Sequence, residues 1–572
     1  MLHRTARTAL VIALPLVALG CMTGHLAGSV SAEMPAPIAA SPEPLGQIVG
    51  MRRLTEAQYR NAIADIFGPD IIVAGRFEPI VRPAHQLIAT GAAAASISPA
   101  GLEQFDAIGR GIAAQVFDPA HRATFVPCTS KSAAQPDDDC VRATLLPIGR
   151  YLFRRPLTNG EQAAYVRMAS EATTRSGDFY AGLQLALGAM LVSPDFLYVI
   201  ESAEPDPARP GEMRLDAYSR AARLSFFLWN TTPNDALLRA AAEGRLADPA
   251  QLAAVAQHMV KSPRLEAGVR AFFADMLMFE KFDDLAKDPI VYPRFNQDVA
   301  KALPEQLLRM IVDQLVTRDG DYRDLFTTRR TFMTRALGPI YNVPVVSRTG
   351  WEPHDFAATD DRAGLLSQAG FLSLYAHSGR SSPTLRGRAI RERLLCEPVP
   401  DPPGNVNFAV VQDTTNAVLR TARARLSAHA SDPTCAACHR ITDPIGLPLE
   451  RFDGIGAFRA KENGVDIDVA GKLEDANFTG ADGLGKALAG NPATTECVAN
   501  RALEYATGKA TDDQADLLAA LDKGFAADRY RLPALMLRIA SLPGLYEIHR
   551  APAPASPVAS SPATGAITGA NR

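Results

Sequence analysis

Five consecutive residues, Cys435-Ala436-Ala437-Cys438-His439, carry the clearest chemistry in this chain. C-x-x-C-H is the attachment signature of a c-type haem: the two thiols add to the haem vinyl groups and the histidine becomes an axial iron ligand. A zinc site would need a second ligand pair at ribbon or finger spacing, and none follows. A thioredoxin-like dithiol would need a βαβ context, which is also missing. The expected cofactor is therefore one covalent haem c on Cys435 and Cys438, with His439 as axial ligand. Its Nδ1–H needs an acceptor, and a backbone carbonyl is the expected one. Asp443-Pro444-Ile445-Gly446 reads as a rigid turn directly after the ligand. Ile445, Leu447, Leu449 and Phe452 are the expected apolar wall, and Glu450 and Asp453 the expected partners of Arg451, Arg459 or a helix cap.

The sixth iron position has several candidates. Met536 is the only methionine after the motif, and a thioether ligand would raise the potential. It sits in Leu535-Met536-Leu537-Arg538-Ile539, an apolar helix in which methionine commonly fills space. His429, six residues before Cys435, is the bis-histidine alternative, and His377 lies in a Gly/Ser-containing loop. An open or water-bound position is the arrangement of a haem enzyme. Arg380, Arg386 and Arg388 are candidate donors to the haem propionates.

Haem attachment requires export, and the N-terminus reads as an export signal. Arg4 and Arg7 precede an apolar run over residues 9–20, too short and wrongly flanked for a membrane span. Ala18-Leu19-Gly20-Cys21 resembles a bacterial lipobox, with Cys21 lipidated. Val30-Ser31-Ala32 instead suits ordinary signal peptidase, releasing a soluble chain. The chain has seven cysteines. With two on haem and Cys21 on lipid, the other four form an even set in an oxidising compartment. Cys128 and Cys140 flank a polar loop over residues 129–139, leaving Cys396 to pair with Cys497. The location expected is the periplasm or the outer-membrane surface of a bacterium. The longest later apolar stretch, residues 180–192, reads as a buried core helix.

The elements that must position these residues are mainly α. The chain has 572 residues, 47% of them hydrophobic and 21% charged, enough for several cores. Its net charge of −3, with signs intermixed, carries no basic tract for nucleic acid. Thr55-x-x-Gln58 is a capping box, with Leu54 and Tyr59 as its staple, opening a helix that ends at Gly68; Thr158-x-x-Glu161 repeats the signal. Asp216 caps a helix with an inner stripe of Tyr218, Ala222, Phe226 and Trp229. Thr232-Pro233 and Asp248-Pro249 each read as N-cap and N1, the second leading into Leu252, Val255, Ala256 and Met259. The best strand pattern is residues 465–469. This divides the chain into an export signal (1–32), an Ala/Pro linker (33–46), helical domains over 47–127, 128–205 and 206–345, a cytochrome c-like module (360–465), a C-terminal helical domain (466–548) and a disordered tail (549–572).

Met51-Arg52-Arg53-Leu54-Thr55-Glu56-Ala57-Gln58-Tyr59, followed by Asp65-Ile66-Phe67-Gly68, resembles the N-terminal domain of the planctomycete-type cytochrome-domain proteins. These are large exported bacterial proteins with domains of unknown function around a cytochrome-like module. Arg154-Arg155-Pro156-Leu157-Thr158 resembles their second domain. Ser193-Pro194-Asp195-Phe196 and the run Arg223-Leu224-Ser225-Phe226-Phe227-Leu228-Trp229 resemble their third. Arg386-Gly387-Arg388, Arg391 to Cys396, the Pro-rich residues 398–403, the C-x-x-C-H and Asp443-Pro444-Ile445-Gly446 resemble the cytochrome module. Cys497, Tyr505-Ala506 and Gly508 match the last domain. The likeness spans about residues 45–548; Leu447-Pro448 departs from it, standing where an aromatic followed by Ala is usual. The family's module also carries a histidine where His429 stands. The resemblance implies architecture more than activity.

The function expected is that of an exported, lipid-anchored monohaem protein that exchanges electrons with a redox partner protein. The alternatives are a haem enzyme with peroxidase-like or oxidative chemistry and a helical scaffold with a structural haem. Whether the chain is an enzyme, and its oligomeric state, stay open at this level. No Ser/His/Asp ordering, phosphate loop or H-E-x-x-H supplies an independent site.

Overall fold

The structure, a computed structural model, describes residues 47–401 and 408–548. The export signal, Cys21, the Ala/Pro linker, part of the 398–403 segment and the C-terminal tail lie outside the described residues. The chain divides into Met1–Pro37 and Ile38–Arg572, and everything described falls in the second unit. The described residues hold 23 α-helices and only small sheets, the mainly α class expected.

Local capping chemistry starts many of the helices. Thr55 Oγ1 accepts from Gln58 N while Gln58 Oε1 accepts from Thr55 N, and the helix Glu56–Phe67 ends at Gly68, whose φ of 90° suits glycine. Thr158 and Glu161 do the same for Asn159–Ser176, and Asp248 caps Pro249–Val260. The segment around residues 180–192 is the helix Phe179–Leu191, buried along most of its length with Leu185 exposed, and among the described residues no helix is long and apolar enough to cross a membrane.

Three local expectations are corrected. Thr232-Pro233 does not open a helix: Asn234 Oδ1 accepts from Leu237 N at 3.0 Å and starts Asp235–Ala242, while the Thr232 hydroxyl donates to the Tyr151 carbonyl. The Thr232 side chain is engaged by a tertiary hydrogen bond, and the cap falls to Asn234 two residues later. Residues 465–469 do not form the principal strand; only Val465–Asp466 pairs, with Lys461–Glu462. The largest sheet is antiparallel and four-stranded, in the order Gln47–Arg53, Tyr198–Pro205, Met213–Leu215, Glu547–Ile548, so it gathers strands from both ends of the described chain. The helix Ala217–Trp229 is not one-faced: every residue from Ser219 to Trp229 is buried. It contributes Ala222 and Phe226 to a core built from Leu54 to Phe226, and Leu224, Phe227 and Leu228 to a second, larger core reaching Tyr546. A helix shared by two cores has no solvent face left. Its Arg223 is therefore buried too, paired with Glu201 at 2.8 Å.

The third helical segment, the cytochrome-like module and the C-terminal helices contribute to that second core together. Within the module, two helices lie backbone to backbone. A Cβ on Gly387 (helix Pro383–Leu394) would overlap the Thr442 carbonyl, and one on Gly446 (helix Pro433–Gly446) would overlap that of Pro383. Cys396, just after the first of these helices, is disulfide-bonded to Cys497 in Pro492–Thr507. Cys128 is bonded to Cys140. Asp443-Pro444-Ile445-Gly446 is not a turn; it is the last turn of the helix Pro433–Gly446. Pro444 has no N–H to offer the Arg440 carbonyl, yet Ile445 and Leu449, both fully buried, lock the following residues into the core.

Candidate functional site

Cys435, Cys438 and His439 sit near the start of the helix Pro433–Gly446, which Asp432 caps through Oδ1 to Thr434 N at 2.8 Å, with Pro433 at N1. Positions i, i+3 and i+4 share a helical face. Both thiols are free and half-buried, and all three residues line one cavity of about 530 Å³, within the roughly 300–1,000 Å³ usual for cofactor pockets. Burial pushes both thiol pKa values up. The facing wall is the helix Ala422–His429, through Ala422, Arg425, Leu426 and His429. Glu462, from the small hairpin, places that helix: its carboxylate accepts from Ala422 N at 2.7 Å and pairs with Arg425 at 2.6 Å. The third wall is the N-terminal turn of Pro383–Leu394 and the loop before it, with Leu385, Arg388, His377 and Arg380; Phe408 and Val411 complete the lining.

His439 has a carboxylate, not a carbonyl, on its ring. Nδ1 lies 2.8 Å from Asp443 Oδ2. A carboxylate accepts here, so Nδ1 is the donor, and in the neutral ring that leaves the lone pair on Nε2. The other carboxylate oxygen accepts from Thr384 Oγ1 at 2.8 Å and from Thr442 Oγ1 at 3.3 Å. His439 and Asp443 stand four residues apart on a helix, a spacing that brings side chains together. That spacing was the available sequence signal, hidden by reading Asp443-Pro444 as a turn.

His429 lines the cavity beside His439, with ring centroids 5.0 Å apart and planes at 82°, and stacks on Phe408 at 5.9 Å. Burial, then the neighbouring His439, lowers its pKa, which favours the neutral imidazole a metal requires. His377 also lines the cavity; burial with Arg380 and Lys287 nearby pushes its pKa down to about 4. The Lys287 ammonium holds this loop by donating to the carbonyls of Ser373, Ala376 and His377. Met536 does not reach the site: it is 1% exposed within the large core and does not line the cavity.

The three arginines separate. Arg386 is fully buried, pairing with Glu450 at 3.3 Å and donating to the carbonyls of Leu449, Phe452 and Asp453. Arg388 lines the cavity but is engaged by Glu392 and Asp401. Arg380 lines the cavity with no hydrogen bond or ion pair to its guanidinium among the described residues, and burial, then Arg425, lowers its pKa. Ile445, Leu449 and Phe452 are not the cavity wall; they face the main core, and Leu447 lines a neighbouring groove of about 510 Å³ with Arg423, Arg440 and Lys472. Glu450 also pairs with Arg459, as expected, whereas Arg451 pairs with Asp361 and Asp453 Oδ1 accepts from Ile455 N and Ala457 N. Among the described residues no group of three His, Cys, Asp or Glu side chains is placed to hold a bare metal ion. Two thiols, one oriented imidazole and an unpaired guanidinium around one cavity can instead hold a flat, anionic group by two thioether bonds and one nitrogen ligand.

Fold and site define a mainly α, multi-domain protein with a cytochrome-like module in its C-terminal half. Four family models match: PSD3, protein of unknown function (DUF1587), over residues 52–118; PSD5, protein of unknown function (DUF1595), over 140–201; PSD4, protein of unknown function (DUF1592), over 215–343; and PSCyt3, protein of unknown function (DUF1588), over 362–462, which includes the C-x-x-C-H helix. The chain belongs to the planctomycete-type cytochrome-domain proteins, in which domains of unknown function surround a cytochrome-like module. No curated protein and no solved structure matches it.

Proposed function

We propose that this chain is an exported monohaem c-type protein that transfers electrons to or from a redox partner protein. The observation that carries this reading is the convergence of the free thiols of Cys435 and Cys438 and the imidazole of His439 on one cavity. The donor set fits a haem: Cys435 and Cys438 would form the thioether bonds, His439 Nε2 would be the axial ligand, and the unpaired Arg380 would receive a propionate. His429 is the candidate for the second axial position. Bound there, the haem would supply one-electron chemistry. The protein's own part is to exclude water with Leu426, Ile441 and Phe408 and to hold the His439 proton on Nδ1.

Export is supported by the basic and apolar N-terminal sequence and by two disulfides, which persist in oxidising compartments. We place the protein in the periplasm or on the outer membrane of a bacterium, anchored through lipid on Cys21. The test is protein coexpressed with haem-attachment machinery, measured by pyridine haemochrome and intact mass beside a Cys435→Ala, Cys438→Ala variant. Wild type should gain one haem and the variant none. A wild-type mass equal to the bare polypeptide overturns the reading.

A further inference from the structure

We propose that Asp443 is a positioning residue that strengthens His439 as an iron ligand and thereby sets this site at low reduction potential. The inference rests on the haem reading above and deepens it, because it makes the site a reductant toward its partner. Three observations carry it.

The first is the hydrogen bond itself. His439 Nδ1 and Asp443 Oδ2 are 2.8 Å apart, and the two side chains are 12% and 10% exposed, so water competes little for either. The second is charge. Buried carboxylates elsewhere in the module, such as Glu392, Glu450 and Glu462, each face an arginine. Among the described residues Asp443 pairs with no Lys or Arg, so its charge is directed at the His439 proton. The third is mechanical. Thr384, which holds the other carboxylate oxygen at 2.8 Å, is on the helix that Gly387 and Gly446 bring into backbone contact with the C-x-x-C-H helix. The carboxylate is thus held from both sides.

A carboxylate acceptor draws the Nδ1 proton more strongly than a carbonyl or amide does and raises the basicity of the ligating nitrogen. A more basic axial ligand stabilises the oxidised metal and lowers the potential, since ligand hydrogen bonding is one of the levers that set it.

Two variants should move the potential in opposite directions. Asp443→Asn leaves a weaker, neutral acceptor, so the midpoint potential should rise, by at least a tenfold change in the reduction equilibrium, about 59 mV for one electron. Thr384→Val removes a hydroxyl that disperses the carboxylate charge, while the i, i+4 spacing on one helix still keeps Asp443 against His439, so the potential should fall, by a smaller factor. General loosening of the site would move both the same way. Potentials are read by redox titration of wild type and both variants after haemochrome confirms equal haem content. Shifts of the same sign, or no shift in Asp443→Asn, overturn the inference. Should Asp443→Asn fail to retain haem, the sign of the Thr384→Val shift decides alone. Absence of haem from wild type would overturn the functional reading instead.

Discussion

Gly387→Ala is the sharpest test of how the site is assembled. On an isolated helix this substitution would stabilise by about 1 kcal/mol, because alanine is the better helix former. Here the new Cβ would overlap the Thr442 carbonyl oxygen and lie 2.7 Å from its carbonyl carbon. Non-bonded carbons settle at roughly 3.5–4.0 Å, so the helices must part by about 0.8 Å or more. The obstacle is backbone inside a helix, which cannot rotate away as a side chain would. Over-packing a well-filled interior costs roughly 1–3 kcal/mol, and a backbone obstacle belongs at the upper end. After the helix-propensity gain, a net loss of about 2 kcal/mol is expected. Gly111→Ala is the matched control: Gly111 lies in the helix Pro99–Val116, is exposed, and its new Cβ would meet nothing within 4 Å. Urea unfolding should show Gly387→Ala destabilised and Gly111→Ala unchanged or slightly more stable. The parting should also disturb the Thr384–Asp443 hydrogen bond and so broaden the haem spectrum. A Gly387→Ala protein as stable as wild type would refute the close approach and with it the mechanical support assigned to Asp443.

His429→Ala should convert a six-coordinate, low-spin spectrum to a high-spin one that binds cyanide or imidazole readily, while Met536→Leu leaves the spectrum unchanged; the reverse pattern would remove His429 from the second axial position. Glu201, buried with Arg223 and Arg52, carries a pKa below the usual carboxylate value: burial pushes it up, but the two guanidiniums outweigh that. A depressed folded pKa contributes stability that is full above the unfolded value near ~4.3 and is lost as pH falls through the folded value. Thermal unfolding should therefore drop in temperature below about pH 4. Glu201→Gln should be less stable at pH 7 by about 3–5 kcal/mol, the cost of leaving a buried arginine unpaired, and should flatten that acid limb. An unchanged acid limb would show that other carboxylates dominate it.

Much of the site was legible in the chain because its chemistry is local. Cys435, Cys438 and His439 share a helical face through spacing alone, and the capping residues Thr55, Thr158 and Asp248 announce helices through hydrogen bonds three residues long. Apart from the Cys396–Cys497 bridge, which counting the thiols left as a pair, contacts with a distant partner were not legible. Thr384 reaches Asp443 across 59 positions, and Glu462 caps the His429 helix from 40 positions away. The large sheet pairs Glu547–Ile548 with Met213–Leu215. Arg386 looked as available to a propionate as Arg380; only the fold buries the first against Glu450 and leaves the second unpaired at the cavity. Met536 and His429 were equal candidates by residue type, and the packing of helices placed one in the core and the other beside His439. By itself, then, the sequence determined which atoms could bond to a haem, since covalent and ligand chemistry belongs to residue type and near spacing. Tertiary structure alone decided which second histidine stands beside His439 and which cation faces the cavity unpaired, because burial and long-range contacts exist only once the chain has closed on itself.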